Sequence, residues 1–199
     1  MRADESTPET LTPDLLLSAY VQGIFPMEMD GEIHWFSPDP RAVFELDRFH
    51  VPRSLASVVR QGRFEIGVNR AFGDVIRACA EREEGTWIDE AIVDGYTRLH
   101  ALGFAHSVEA YRDGRLVGGL YGVAINGCFF GESLFHRERD ASKVALIHLV
   151  ERLRDRQFEL LDVQFVTPHL VRFGAREIPR DEYLRRLALA LRVDRKFVD

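Results

Sequence analysis

The sequence predicts an α/β (α+β) fold: a splayed mixed sheet flanked by helices and preceded by a small N-terminal domain. Two hairpin turns, Asp113-Gly114 and Asn126-Gly127, join three apolar segments into an antiparallel meander. An amphipathic helix, a further strand and a last helix follow the meander. The segment Ser37-Pro38-Asp39-Pro40 cannot continue a helix. We therefore expect a small N-terminal domain over 1–40 and a larger catalytic domain over 41–199.

The elements are predicted in chain order from caps, periodicity and turn residues. Thr12 and Pro13 begin a helix that Gly23 ends, 24–39 is expected to be irregular, and Asn69 is expected to cap a helix. The predicted strands cover 42–46, 64–68, 105–111, 116–125, 128–135 and 160–166. The predicted helices cover 14–22, 53–61, 72–79, 89–102, 141–154 and 180–191, with a short one near 169.

This order of elements is analogous to the fold of acetyl-CoA-dependent N-acetyltransferases (GNAT-type), whose sheet opens to admit the acyl donor. Those enzymes hold the donor's pyrophosphate with a glycine-rich turn between the meander and the next helix. The corresponding link here, 136–143, contains no glycine. The sequence therefore implies the same fold with a different acyl donor, and the fold alone does not give the chemistry.

Composition limits the classes of function. The net charge of −6 argues against a protein covered in positive potential for bulk nucleic-acid binding. Six arginines nevertheless fall between Arg48 and Arg77, against Glu65 and Asp74, which suits either limited contact with a phosphate backbone or ordinary solvated helix faces. With no signal-peptide pattern, no long apolar segment and two cysteines without metal-ligand spacing, we expect a cytoplasmic protein with no membrane segment and no metal site.

Two polar residues interrupt the apolar segment 160–166. Burying a neutral polar group without a partner costs roughly 2–7 kcal/mol, so such positions need an explanation. Asp162 and Gln164 are two apart, and on a regular strand they share one face. They either form a proton-handling pair, in which the Gln carbonyl accepts from an attacking amine, or a mutually satisfied buried hydrogen bond.

Glu132 is a second carboxylate within an apolar strand. It either holds a substrate ammonium group or forms an ion pair with Arg137 or Arg139. Its apolar neighbours either line a side-chain pocket or belong to the core: Phe129, Phe130, Leu134 and Phe135. His106 and His169 are candidate bases, although neither has an identifiable Ser or Cys partner. If the protein is an enzyme, direct attack on an already activated acyl donor is the simplest mechanism.

Ten segments, in order along the chain, carry a resemblance to a known family. They are Ala19-Tyr20 with Gly23-Ile24-Phe25-Pro26, Trp35–Arg41, Glu83–Ile88, Leu99-His100 with Gly103 and Ala105–Glu109, Gly118–Ala124, Phe130–Phe135, Ala141–Lys143, Asp162–Gln164, His169-Leu170 and Gly174–Arg180. With these segments the chain resembles the leucyl/phenylalanyl-tRNA–protein transferases over nearly its whole length. Two positions depart from the family pattern: Met27 replaces a usual tryptophan, and Arg172 a usual small residue.

The resemblance implies transfer of Leu or Phe, and to some extent Met, from aminoacyl-tRNA to the N-terminal Arg or Lys of an acceptor protein. That transfer marks the acceptor for N-end-rule degradation, and it needs no cofactor because the ester is already activated. The enzyme is expected to be a monomer.

The resemblance also implies a role for each site residue. Asp162 and Gln164 would handle the proton, and Glu132 would hold the substrates' amino groups. Trp87 would stack on the terminal adenosine. The remaining substrate-binding residues would be Leu120, Phe129, Ser133 and Leu134, and the tRNA-binding residues Arg53, Arg60 and Arg63. Two other hypotheses stay open: an acetyl-CoA-dependent N-acetyltransferase, and a non-catalytic module that binds a tRNA end or an N-terminus.

Overall fold

The computed structural model describes residues 11–81 and 86–199. Helices in this part of the chain are α1 (Pro13–Tyr20), α2 (Arg53–Arg60), α3 (Phe72–Ala80), α4 (Glu90–Ala101), α5 (Ala141–Asp155), α6 (Pro168–Val171) and α7 (Arg180–Ala190). The strands are β1 (Phe25–Met29), β2 (Glu32–Phe36), β3 (Arg41–Phe44), β4 (Glu65–Val68), β5 (Ala105–Arg112), β6 (Arg115–Ile125), β7 (Cys128–His136), β8 (Leu160–Gln164) and β9 (Arg176–Ile178). No helix among these residues is long and apolar enough to cross a membrane.

Seven strands form one mixed sheet in the order β4-β5-β6-β7-β8-β3-β9. Asp113 and Asn126 adopt the positive φ values that tight hairpin turns require, 51° each, and so connect β5, β6 and β7 as predicted. The described neighbours pair antiparallel except for β7 and β8, which are parallel. The parallel pairing covers only Cys128–Phe130 and Leu160–Asp162, while β7 continues to His136. The sheet therefore splays at this point, and the predicted acetyltransferase-like fold class is confirmed.

Helices cover both faces of the sheet. One apolar core includes Tyr20, Ile92 and Leu99, and the other is built around α5 with Leu149 and Leu153. Burying one such side chain contributes about 1.5–3 kcal/mol, so the two cores hold the splayed strands from either side.

The N-terminal segment packs into the first of these cores. The Oγ1 atom of Thr12 accepts a hydrogen bond of 3.3 Å from the backbone N–H of Leu15, so Thr12 caps α1 as predicted. Leu11, Leu16 and Tyr20 are buried in the same apolar cluster as the residues of α4. The division into domains over 1–40 and 41–199 stays a prediction, and residues 1–10 lie outside the described part.

The structure corrects two predictions of local structure. Residues 24–39 are not irregular: β1 and β2 form a hairpin whose turn is Asp30-Gly31, both residues having positive φ. Asn69 does not cap α3, because its side-chain oxygen accepts from the backbone N–H of Ser107. The carboxyl of Glu109 accepts instead from the backbone N–H groups before α3. The short edge strand β9 was not predicted at all.

Candidate active site

A cavity of about 820 Å³ opens where β7 and β8 separate. Leucines and a valine from β6, β7, β8, α5 and α6 line one side of it, namely Leu120, Leu134, Leu146, Leu149, Leu161, Val163 and Leu170. Polar side chains, including Glu132, Ser133 and Gln164, line the same cavity. An apolar wall beside a few convergent polar groups is typical of a small-molecule binding site.

The end of β8 departs from regular strand geometry. Gln164 has a φ of 63°, and the pairing of β3 with β8 shifts register between Ala42 and Val43. As a result Val163 and Gln164 both line the cavity, which strict alternation along a strand would not allow. A non-glycine residue held in the left-handed region is uncommon, and such positions occur preferentially at functional sites.

Glu132 accepts hydrogen bonds from three different elements. Tyr20 on α1 donates to Oε1 over 2.7 Å, Tyr96 on α4 donates to Oε2 over 3.3 Å, and Nε2 of Gln164 donates to Oε1 over 2.9 Å. The two tyrosine hydroxyls also lie within hydrogen-bond distance of each other. Each hydroxyl has one proton, so the two tyrosines donate two of these three contacts at a time. The carboxylate is thus fixed at the cavity wall, and the alternative of an ion pair is not realised: Arg137 pairs with Glu81, and Arg139 lies near Asp140.

Burial raises the pKa of Glu132 to about 7, and the nearby charge of Asp162 adds to that rise. Hydrogen bonds from Tyr20, Gln164 and Tyr96 act in the opposite direction, because they favour the ionised form. A carboxyl group with a pKa near neutrality can both take and release a proton at physiological pH. Strongly shifted groups in a cavity are frequent at catalytic sites.

Asp162 is sealed away from this cavity. Arg41 holds it with two bonds, Nε to Oδ1 at 2.9 Å and Nη2 to Oδ2 at 2.6 Å, and the Tyr183 hydroxyl donates to Oδ2 over 2.8 Å. Both Arg41 and Asp162 are 0% exposed. Burial acts to lower the pKa of Arg41, but the charge of Asp162 and the hydrogen bonds to it outweigh that and leave the pKa raised.

The contact between Asp162 and Gln164 differs from the predicted one. Oδ1 of Asp162 accepts from the backbone N–H of Gln164 over 2.9 Å, whereas the side-chain amide of Gln164 turns to Glu132. An ionised carboxylate only accepts hydrogen bonds, so the amide nitrogen faces Glu132 and the amide oxygen is left for the cavity. Asp162 therefore fixes the backbone of Gln164, and Glu132 fixes its side chain.

The structure brings together most of the predicted substrate-binding residues. The cavity wall contains the predicted Trp87, Leu120, Glu132, Ser133, Leu134 and Gln164. Phe129 does not belong to the wall: it is 0% exposed and packs against Phe197. Phe129 lies where β7 and β8 are still paired, opposite Leu161.

The β1–β2 hairpin supplies a further wall. Met27 of β1 and Trp87 both line the cavity, and the backbone N–H of Glu28 donates to the carbonyl of Trp87 over 3.1 Å. The hairpin therefore positions the loop that carries the indole. The preceding residues of the Glu83–Ile88 segment, 83–85, lie outside the described residues.

The predicted tRNA-binding arginines lie on and after α2. Arg53 begins this helix, Arg60 ends it, and Arg63 follows it; all three are exposed. Of the two candidate bases, His106 is buried against Phe197 away from the cavity, where burial lowers its pKa to about 4. His169 does line the cavity.

Four polar residues of this site were missed from the sequence: Tyr20, Arg41, Tyr96 and Tyr183. Tyr20 and Arg41 belong to segments that carry the family resemblance, so the sequence could have indicated a functional role for them. Tyr96 had no such signal, because it is one of several apolar residues on α4, and its partner Glu132 is 36 positions away. Only the packing of α4 against α1 brings the two hydroxyls together.

The splayed sheet and the cavity at its opening define an α/β protein of the acyltransferase class. Comparison with known proteins gives the family. The family model "Leucyl/phenylalanyl-tRNA protein transferase" matches residues 43–188, and the model of the corresponding N-terminal domain matches residues 9–39. The chain belongs to this family and is an aminoacyltransferase.

Two curated relatives show how close the match is. The leucyl/phenylalanyl-tRNA–protein transferase of Gloeobacter violaceus is 59% identical over 190 residues, and that of Herpetosiphon aurantiacus is 55% identical over 188 residues. Both alignments cover 94% of this chain and 98% of the relative. Of the three hypotheses that the sequence left open, the first is therefore the one supported.

Two solved structures align distantly with this chain. The L-PGS of Bacillus licheniformis aligns with a TM-score of 0.46 at 14% identity, covering 64% of this chain and 46% of that one. A GCN5-related N-acetyltransferase-like protein from Streptococcus suis aligns with a TM-score of 0.38 at 14% identity, covering 83% of this chain and 63% of that one. The fold class rests on the sheet topology described above.

Proposed function

We propose that this aminoacyltransferase moves leucine or phenylalanine, and to a lesser extent methionine, from aminoacyl-tRNA to the N-terminal Arg or Lys of acceptor proteins. The observation that carries the proposal is the cavity between β7 and β8. It combines an apolar wall that suits a Leu or Phe side chain with a carboxylate and an amide at its polar side.

The donor would be the aminoacylated end of the tRNA. The transferred side chain would lie against Leu120, Leu134 and their apolar neighbours. Trp87 lines the same cavity and would stack on the terminal adenosine, a contact worth about 1–3 kcal/mol. Ser133, on the same strand as Glu132, would hydrogen-bond the donor.

The reaction would be direct aminolysis of the ester. The neutral N-terminal amine of the acceptor attacks the ester carbonyl carbon, the new C–N bond forms, and the bond from that carbon to the ribose oxygen breaks. The proton lost by the amine ends on the departing ribose oxygen, so no ATP and no covalent enzyme intermediate are needed. Holding the two reactants together supplies much of the rate.

Gln164 and Glu132 would handle that proton. The free amide oxygen of Gln164 would accept a hydrogen bond from the attacking amine and so orient it. Glu132, 2.9 Å from Nε2 of Gln164, would take the proton and return it to the ribose oxygen. An amide is too weak a base to keep a proton, whereas a carboxylate with a pKa of about 7 can. Asp162 would act as a positioning residue, through the backbone of Gln164.

The proposal extends to partners and location. Arg53, Arg60 and Arg63 would contact phosphates of the acceptor stem, because exposed arginines on and after α2 provide charge without reading bases. The enzyme would act as a monomer in the cytoplasm, where both tRNA and acceptor proteins are present. The modified acceptors would enter N-end-rule degradation.

The decisive experiment follows labelled leucine or phenylalanine from charged tRNA to a peptide that begins with Arg. We expect transfer to that peptide and none to the same peptide with an acetylated N-terminus, because the acetylated nitrogen cannot attack. Absence of transfer from Leu-, Phe- and Met-tRNA by folded protein would refute the proposal. Transfer to the acetylated peptide would refute the assigned nucleophile.

A further inference from the structure

A second cavity of about 650 Å³ lies beside the first. Four residues line both cavities: Arg139, Asp140, Lys143 and His169. The far wall of the second cavity is formed by residues of α2 and by Arg63. The second cavity therefore lies between the candidate active site and the predicted tRNA-binding arginines.

The charged side chains around the second cavity are mainly cationic. Arg63, Arg112, Arg139, Lys143 and Arg172 line it, against Glu138 and Asp140, so positive charges exceed negative ones by three. The protein as a whole carries a net charge of −6. A locally positive potential on a negatively charged protein attracts an anionic ligand to this cavity.

Two of these cations have no acidic partner within the described residues. Arg63 donates only to the neutral side chain of Gln61, over 2.7 Å, and Arg172 forms no ion pair there. In contrast, Arg112 is paired with Glu138 at 2.9 Å and Lys143 with Asp140 at 2.8 Å. Arg63 and Arg172 are both exposed, so their charge is available to a ligand.

His169 lies at the junction of the two cavities. Its Nε2 atom is buried and lacks a hydrogen-bond partner within the described residues. Burial lowers the pKa of His169, and the charges of Lys143, His136 and Arg172 lower it further. Lys143, Arg172 and His169 line the same cavity, so the cations surround its junction with the first cavity.

We propose that the second cavity binds the sugar–phosphate backbone of the nucleotides that precede the terminal adenosine of aminoacyl-tRNA, with Arg172 and Lys143 contacting phosphate oxygens. This inference rests on the proposed function. When the last nucleotide occupies the first cavity, the rest of the RNA chain must run out of that cavity. The second cavity provides a cationic path for it towards α2. Phosphate contacts of this kind position the RNA without reading its sequence.

The test compares two donors that differ in phosphates. Phe-tRNA reaches the second cavity, whereas phenylalanyl-adenosine is a single nucleoside and contains no phosphodiester. We expect Arg172→Ala to raise the KM for Phe-tRNA about 10-fold, because the variant loses one phosphate contact. The KM for phenylalanyl-adenosine should change less than about twofold, because this donor has no phosphate. The slope of the logarithm of the tRNA binding constant against the logarithm of the salt concentration should become shallower by about 0.7–1.

Two further variants control this test. Arg185→Ala removes the same charge from an exposed position on α7 outside both cavities, and it should leave both donors and the salt slope unchanged. Arg172→Lys keeps the charge and should restore most of the affinity for Phe-tRNA. An unchanged KM for Phe-tRNA in Arg172→Ala, or an equal loss with both donors, would overturn the inference. Wild-type protein that uses neither donor would instead refute the proposed function.

Discussion

Two polar clusters lie side by side near the end of β8, and they differ in their access to the cavity. The sealed cluster comprises Arg41, Asp162 and Tyr183, and none of these residues lines the cavity. The open cluster comprises Tyr20, Tyr96, Glu132 and Gln164, and two of its members line the cavity. Both contain a carboxylate with tyrosine donors, so residue type alone does not distinguish them.

The difference between the clusters is the partner of each carboxylate. Asp162 is paired with a buried guanidinium, and each of its two oxygens already accepts two hydrogen bonds. Glu132 has only neutral hydrogen-bond donors among its direct contacts, so no counter-ion offsets the burial that raises its pKa to about 7. The comparison teaches that a counter-ion makes a buried carboxylate structural, whereas neutral donors leave it able to titrate.

The largest expected effect is on the open cluster. Glu132→Gln removes the proton acceptor while keeping the size of the side chain, so the transfer rate should fall about 10²–10⁴-fold. In the wild type, the rate should rise as pH increases through about 7, because Glu132 must be ionised to accept a proton. The variant should lose this rise. Its rate should still increase with the deprotonation of the acceptor amine, whose pKa is about 7.7–8.0. A pH–rate profile on charged tRNA measures both.

A matched control for that variant is Glu109→Gln. Glu109 is a fully buried glutamate on β5 that does not line the cavity. Its replacement should leave the rise in rate near pH 7 in place, whatever it does to stability. If Glu132→Gln keeps the same profile as Glu109→Gln, Glu132 does not receive the proton.

The next effect concerns the stability of the sealed cluster. Asp162→Ala leaves the guanidinium of Arg41 buried without a counter-ion, so the free energy of unfolding should fall by about 3–5 kcal/mol. Asp94→Ala breaks an exposed ion pair with Arg98 on α4 and should cost less than about 1 kcal/mol. Urea unfolding of both variants provides the measurement. Equal losses would show that the sealed cluster is not structural.

The smallest effect separates the clusters through two matched tyrosines. Tyr20→Phe and Tyr183→Phe each remove one donor to a carboxylate, so each should cost about 1 kcal/mol of unfolding free energy. Only Tyr20→Phe should move the rise in the pH–rate profile, and it should move it to higher pH, because the lost donor favoured the ionised form of Glu132. A shift of the same size in Tyr183→Phe would mean that the two clusters titrate as one.

Much of the fold followed from local sequence signals. Asp113-Gly114 and Asn126-Gly127 predicted the meander, and Thr12 with Pro13 predicted the start of α1, because these signals act over a few residues. Asp30-Gly31 is the same kind of turn signal, but Pro26 and the shortness of the strands obscured it. The edge strand β9 has three residues and depends on β3 for its pairing, so it carries no signal of its own.

The site was predictable in part. Glu132, Gln164 and Asp162 were recognised because polar residues in apolar strands need partners. Their separation into two clusters was not predictable, since Asp162 and Gln164 were expected to share a face. Arg41 from β3 and Tyr183 from α7 capture Asp162, and the positive φ of Gln164 turns its amide towards Glu132.

The sequence by itself determined the fold class, the family and the residue types available for chemistry, because turns, periodicity and ordered motifs are encoded over short distances. Only the tertiary structure decided which carboxylate reaches the cavity and which one is sealed. The physical reason is that burial and counter-ions are set by elements distant in the chain: α1 and α4 bring neutral hydroxyls to Glu132, whereas β3 brings a charge to Asp162.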